Sequence, residues 1–331
     1  MAQDAKDMLS NLPRKSLLTI STLTATIFLL TDHNLAAKER RASLPSLPGY
    51  AAVPVRYSDW NKMLMDAVVN GHRARFIVDT GAGYSILDAD RARAFGVSPV
   101  GSDSPYGEFA NLNGVSYRVG YLNSLRSGAM DFGSGPMALF QPANADAALD
   151  SRLNGENEDG IIGADILTRY KAVINCYTKT IFFKTGRSEQ LHVVRFAESQ
   201  HFVRVPLREE VSRAFTVPAS INGHACRLLV DTGAFVTTFD LRRAKEFGLS
   251  FIGTRMHGSF ADGVSRRVAI GNVSDLRIGD YKVPPQKLAA SMLPDFAVEQ
   301  GQAKIAGILG MEVLARSHGI IDFDSMSLFL K

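Results

Sequence analysis

Residues 53–98 recur at 205–250 with one constant offset and no gap. A chain written twice in this way folds as two like lobes or as one body with internal twofold pseudo-symmetry. Val53-Pro54 returns as Val205-Pro206. NGHRARFIVDTGAGYSILDADRARAFGVS from Asn70 matches NGHACRLLVDTGAFVTTFDLRRAKEFGLS from Asn222 at about half of its positions, beyond what chance produces. Further along, Phe109-Ala110 answers Phe260-Ala261, Leu125-Arg126 answers Leu276-Arg277, and GIIGADIL from Gly160 answers GILGMEVL from Gly307. A period of ~150 residues is far longer than the roughly 20 to 50 of a solenoid unit, so each copy is read as a whole lobe. The expected lobes are 44–185 and 201–331, joined by a polar linker at 186–200 that shows no strong period.

The bulk properties allow this and narrow the rest. With 331 residues, 46% apolar and 21% charged, the chain has the balance of a globular protein with an ample core. The net charge of +4 comes from dispersed basic residues, which argues against a nucleic-acid partner. Arg14 and Lys15 precede an apolar run from Leu17 to Leu30 that is too short to cross a bilayer comfortably. Residues 1–43 are therefore read as an export signal, giving a periplasmic or secreted protein, with an uncleaved membrane tether as the alternative. The two cysteines, Cys176 and Cys226, fall at non-equivalent places in the repeat and are expected to be separate buried thiols.

Local signals are mostly β. Asn70-Gly71 and Asn222-Gly223 lie between strand-like runs and predict hairpins, because both turn residues need positive φ. Short helices are expected around Asp90 to Phe95 and Arg242 to Phe247, closed by Gly96 and Gly248. A second hairpin in each copy has Asn113-Gly114 or Asp262-Gly263 at its tip; the first is longer by two residues in FANLNGVS than in FADGVS.

Each copy also carries an Asp-Thr-Gly triplet after an apolar strand, at Asp79-Thr80-Gly81 and Asp231-Thr232-Gly233. One such triplet is most often a turn, with Asp accepting backbone hydrogen bonds and Gly at positive φ. Two at equivalent positions, each followed by an apolar-apolar-Gly segment, point instead to paired carboxylates. The chain holds no HExxH zinc site, phosphate-binding loop or G-x-S-x-G elbow, and its seven histidines do not cluster. His72 and His224 are read as turn-flanking polar residues repeated by the duplication.

VDTGA with a downstream IIGADIL or ILGMEVL resembles the retropepsin-like aspartic peptidases of bacterial type, over nearly all of residues 50–331. The resemblance implies a mostly β, bilobal acid-protease fold: two closed barrel-like lobes related by a pseudo-twofold axis, with flap hairpins over a peptide cleft. It makes Asp79 and Asp231 the catalytic dyad and Thr80 and Thr232 the residues that lock the two loops across the axis. Gly81 and Gly233 complete the loops, and Asn113, Gly114, Asp262 and Gly263 become flap residues. Peptide or protein would be the substrate, no metal or cofactor would be needed, and a monomer would contain its own pseudo-dimer. Ala82 and Ala234 stand where pepsins carry a hydroxyl that can donate to the carboxylate, so the dyad should ionise at higher pH than pepsin's. Neither flap tip contains the tyrosine typical of pepsin, and Tyr106 and Tyr117 nearby are read as packing or surface residues. A non-catalytic peptide-binding or assembly module on the same scaffold is the alternative, as is an enzyme whose lobes pair between chains.

Overall fold

Asn70 and Asn222, at φ 48° and 49°, with Gly71 and Gly223 at φ 89° and 79°, turn two equivalent hairpins, one in each half of the molecule. The computed structural model describes residues 49–112, 115–140, 158–186, 193–260, 264–300 and 303–331. The hairpin strands Met63–Val69 and His72–Val78 bury alternate side chains, as strands closed around a core must. Asn70 does more than turn: its Nδ2 donates to Phe95 O at 3.0 Å and its Oδ1 accepts from Asn123 N and Ser124 N. Asn222 Nδ2 repeats the first of these bonds to Phe247 O at 2.8 Å.

In the N-terminal half, an eight-stranded sheet runs Arg56–Tyr57, Met63–Val69, His72–Val78, Gly160–Ile162, Ile86–Asp88, Met130–Phe140, Val115–Ser127, Phe109–Leu112. Pairing of Val68 with Arg126 and Val69 with Leu125 closes its six inner strands into a barrel. An eleven-stranded sheet carries the C-terminal half in equivalent topology, where Ile221 pairs with Leu276 and Ser220 with Arg277. Phe76, Met65, Leu87 and Phe215, Phe239, Leu228 are fully buried in the two interiors.

A third sheet takes three strands from each half, in the order Tyr50–Pro54, Thr180–Lys184, Val173–Asn175, Ile320–Asp322, Ser327–Leu330, Val203–Pro206. At its centre Ile174 pairs with Ile321. These are the same position of the repeat, so the pseudo-twofold axis passes between them. The fold is thus mostly β and bilobal, and the shared sheet is where its halves are stitched.

Local structure adds to the sequence reading at one place and corrects it at another. Residues Val193–Ser199, inside the stretch expected to be a linker, form a helix whose Ala197 packs with Val173, Phe182, Ile320 and Phe329 over the shared sheet. Its apolar face of Val193, Val194 and Ala197 is too short to stand out among polar neighbours. The helix at Ala89–Ala94 is as expected: Asp88 caps Asp90 N and Arg91 N, and Gly96 follows at φ 66°. Its counterpart is only a 3₁₀ turn, Ala244–Phe247, before Gly248 at φ 64°. There the fully buried carboxylate of Asp240 is engaged by the Arg242 guanidinium and Leu293 N, which leaves it bonded to Arg242 N alone among the following amides. Cys176 and Cys226 are free and buried, and burial pushes both thiols up to about 12.

Candidate active site

The strand His72–Val78 ends beside the parallel strand Gly160–Ile162, and Asp79 N donates to Ile162 O at 3.0 Å. In the second half Asp231 N donates to Leu309 O at 3.1 Å. The apolar-apolar-Gly segment therefore threads directly past each dyad loop. Gly163 and Gly310 leave no room for a side chain: a Cβ would lie 2.6 Å from Tyr84 C and 2.5 Å from Val236 C respectively.

Each loop then folds around its carboxylate. Asp79 Oδ1 accepts from Gly81 N at 2.8 Å and Ala82 N at 3.0 Å. Asp231 Oδ1 accepts from Gly233 N at 2.7 Å and Ala234 N at 3.0 Å. The donors after each Gly are backbone amides of alanine, with no hydroxyl among them. Thr80 and Thr232 cross between the halves: Thr80 N donates to Thr232 Oγ1 and Thr232 N to Thr80 Oγ1, both at 3.1 Å. Each hydroxyl in turn donates 2.7 Å to a carbonyl of the other half, Thr80 to Val230 O and Thr232 to Val78 O. Both threonines are fully buried.

This reciprocal lock brings the carboxyls of Asp79 and Asp231 into hydrogen-bonding reach of one another. Each is half-buried, open enough to meet a small molecule. Burial raises Asp231 well above the usual carboxylate range, and the charge and hydrogen bond of Asp79 raise it further. Burial also raises Asp79, while the bond to Asp231 and its two amide donors act the other way. One proton shared by the pair follows, and the two carboxyls titrate as a unit, as paired carboxylates held this close must. The structure brings Asp79, Asp231, Thr80, Thr232, Gly81 and Gly233 together where the two halves meet. The flap-tip residues Asn113, Gly114, Asp262 and Gly263 lie outside the described residues.

A second layer was not anticipated. Ser85 N and Oγ both donate to Asp165 Oδ1, at 2.9 and 2.7 Å, and Gly163 N donates to Ser85 Oγ at 2.9 Å. The other half repeats this with Thr237 N donating to Glu312 Oε2 at 2.7 Å and Gly310 N to Thr237 Oγ1 at 2.9 Å. These bonds pin the threading segment to the dyad loop. The signal was in the repeat, since a hydroxyl at 85 and 237 and an acid at 165 and 312 recur in both copies. Glu312 is buried, its Oε1 has no hydrogen-bond partner among the described residues, and burial raises its carboxyl above the ordinary range.

Both layers can be tested by stability. Thr80→Val removes a donor and an acceptor from a site without water access, leaving Val230 O and Thr232 N unpaired, so it should cost about 2–4 kcal/mol. Thr80→Ser, which keeps the hydroxyl, should recover most of that loss in urea unfolding; equal loss in both variants would mean that the crossed bonds lock nothing. The second test concerns pH. Asp79, Asp231 and Glu312 all have folded-state values above their unfolded ones. Their contribution is therefore full below about pH 4 and is lost as pH rises through the folded values. Glu312→Gln should equal or exceed the wild type in stability at pH 7 and lose that advantage toward pH 4. An advantage that grew on acidification would contradict the direction.

A family model described as aspartyl protease matches residues 65–166 and 217–313. DNA damage-inducible protein 1 of Neurospora crassa is 29% identical over 122 residues, covering 37% of this chain and 25% of that protein. The chain thus matches about a quarter of that relative's length. Each segment matched by the family model holds one Asp-Thr-Gly loop and the apolar-apolar-Gly strand that threads past it, and since the two together cover more than half of the sequence, the chain belongs to the aspartyl protease family.

Proposed function

We propose that the protein is an aspartic endopeptidase in which Asp79 and Asp231 activate one water molecule between them. The observation that carries this reading is the pair of carboxyls in mutual hydrogen-bonding reach, each with one oxygen fixed by two backbone N–H groups.

In the resting pair the two carboxyls hold one proton and one negative charge between them. Water bound between them loses a proton to the ionised carboxylate as its oxygen attacks the scissile carbonyl carbon. The protonated carboxyl donates to the carbonyl oxygen, giving a neutral gem-diol, and no acyl-enzyme forms. Transfer of a proton from the dyad to the amide nitrogen, with return of a gem-diol proton to the dyad, breaks the C–N bond and releases acid and amine. The substrate would lie extended beneath the hairpins Phe109–Leu112 with Val115–Ser127 and Ile252–Ser259 with Ser265–Val273, adding a strand to the cleft.

The reading extends to a monomer with an internal pseudo-dimer and to export by residues 1–43, as a cleaved signal or a tether. Sequencing the N-terminus of the protein recovered from its host decides the latter. Activity should be mildly acidic to neutral in optimum, since the loop donors to both carboxylates are backbone amides and not side-chain hydroxyls. A sharp optimum below about pH 3, the region of pepsin's lower ionisation, would contradict it. The direct test is cleavage of a peptide library from denatured proteins across pH 3 to 8, with Asp231→Asn as control. Asp231-dependent cutting supports the reading; a folded, inert wild type points to a binding scaffold.

A further inference from the structure

The two halves of the cleft come from one repeated sequence, yet they differ where they flank the dyad. The loop before each first barrel strand packs against the opposite half's dyad loop. Trp60 meets Phe235 edge-on, with ring centroids 5.4 Å apart, and Phe235 directly follows the Asp231 loop. In the other direction Arg213 lies over the Tyr84 ring at 5.2 Å, and Gly83 has room for no Cβ because the Ser212 carbonyl fills its place. Two residues after Trp60 stands Lys62, whose Nζ is 2.8 and 3.0 Å from the two carboxylate oxygens of Glu158. Its charge reaches Asp79.

By repeat position, Lys62 corresponds to Ala214, and Glu158 to Ile305, the residue two before Gly307 as Glu158 is two before Gly160. Ala214 and Ile305 are 1% and 0% exposed and belong to one apolar cluster. Ala234 of the dyad loop and Phe260 of the flap hairpin pack against that cluster. On the other side Phe109, the repeat counterpart of Phe260, is 55% exposed, beside the Glu108–Arg118 ion pair. One pair of positions is thus an ion pair on one side of the dyad and an apolar contact on the other. Lys62 keeps part of its side chain in solvent, so this side offers a charge that the fully buried apolar pair on the other side cannot.

We infer that Lys62 is a specificity-determining residue: the cleft takes peptides with an apolar side chain on the side where Ala234 and Phe260 cover the Ala214–Ile305 cluster and an acidic one on the Lys62 side. Lys62 is the accessible member, its side chain 32% exposed against 12% for Glu158, and an ammonium has three donors to share. Glu158 holds the ammonium in position and competes with the incoming carboxylate.

This rests on the peptidase reading, and the test separates the two. Trp60 is the only tryptophan of the chain, so its fluorescence reports binding beside Lys62. Peptides with an uncleavable hydroxyethylene isostere between two apolar residues, and Glu or Gln at each flanking position in turn, are titrated into the full-length protein. The wild type should prefer Glu over Gln at one position by about fivefold, the scale of a partly exposed charge pair. Lys62→Met should abolish the preference, and Glu158→Gln should increase it. The opposite signs rule out a common folding defect. Equal affinity for Glu and Gln peptides, or a preference that survives Lys62→Met, overturns the inference. Hydrolysis of ordinary peptides without acid preference overturns it and leaves the peptidase reading standing; acid-preferring binding without hydrolysis does the reverse.

Discussion

Asp79→Asn and Asp231→Asn, made one at a time, each lower peptide hydrolysis by on the order of a hundredfold or more, while Asp231→Asn raises resistance to urea at pH 7. An amide can neither take the proton from water nor exchange one with its neighbour, so losing either carboxyl ends the shared chemistry. Because the two act as a unit, the double variant should be no slower than the worse single one. The stability gain follows from the raised Asp231 carboxyl, which burial and the Asp79 charge make costly to ionise. An asparagine incurs no such cost, so its advantage over the wild type should grow from about pH 4 toward neutrality. Turnover within a few-fold of wild type in either variant would mean that the two carboxyls are not a catalytic dyad.

Gly233→Ala should cost activity by about the same hundredfold although every titratable group stays in place. A Cβ at this position would lie 2.5 Å from both Cγ and Oδ2 of Asp79, well inside van der Waals contact. Gly81→Ala would meet Asp231 Cγ at 2.7 Å in the same way. Neither loop can yield freely, since the crossed threonine bonds hold both backbones. The carboxyls must separate instead, and misplacement by about 1 Å costs on the order of a hundredfold. The loss should appear in kcat, with peptide binding away from the dyad retained. Near-normal kcat in both alanine variants would mean the loops are far more pliant than the lock implies.

What was legible in the sequence was whatever repeats locally. The Asn-Gly turns, the Asp-Thr-Gly loops and the apolar-apolar-Gly strands each fit in a few residues, and the duplication made chance an untenable explanation. Bonds between distant segments were harder to see. Ser85 meets Asp165, and Thr237 meets Glu312, only after the barrel brings strand and loop together. The shared sheet was hidden because its strands come from the ends of both halves. The pairing of the second hairpin in each half also needed the fold. The first pairs Leu112 with Val115, whereas the second pairs Ser259 with Ser265 and closes once more from Phe260 N to Val264 O. Phe260 leaves the ladder because its ring packs onto the apolar cluster beside Ala234, a burial that Phe109 does not have. The contrast between Lys62–Glu158 and Ala214–Ile305 was written in the repeat too, but its meaning depends on knowing that both pairs flank the dyad.

The most direct test of one site built from both halves of a single chain is complementation. Asp79→Asn and Asp231→Asn proteins are purified separately, unfolded and refolded together, and assayed beside the wild type over a dilution series. Each variant should be inactive, the mixture should stay inactive, and wild-type activity should remain proportional to concentration throughout. Recovery of activity in the mixture, with wild-type activity falling faster than concentration, would mean that the two carboxyls come from different chains.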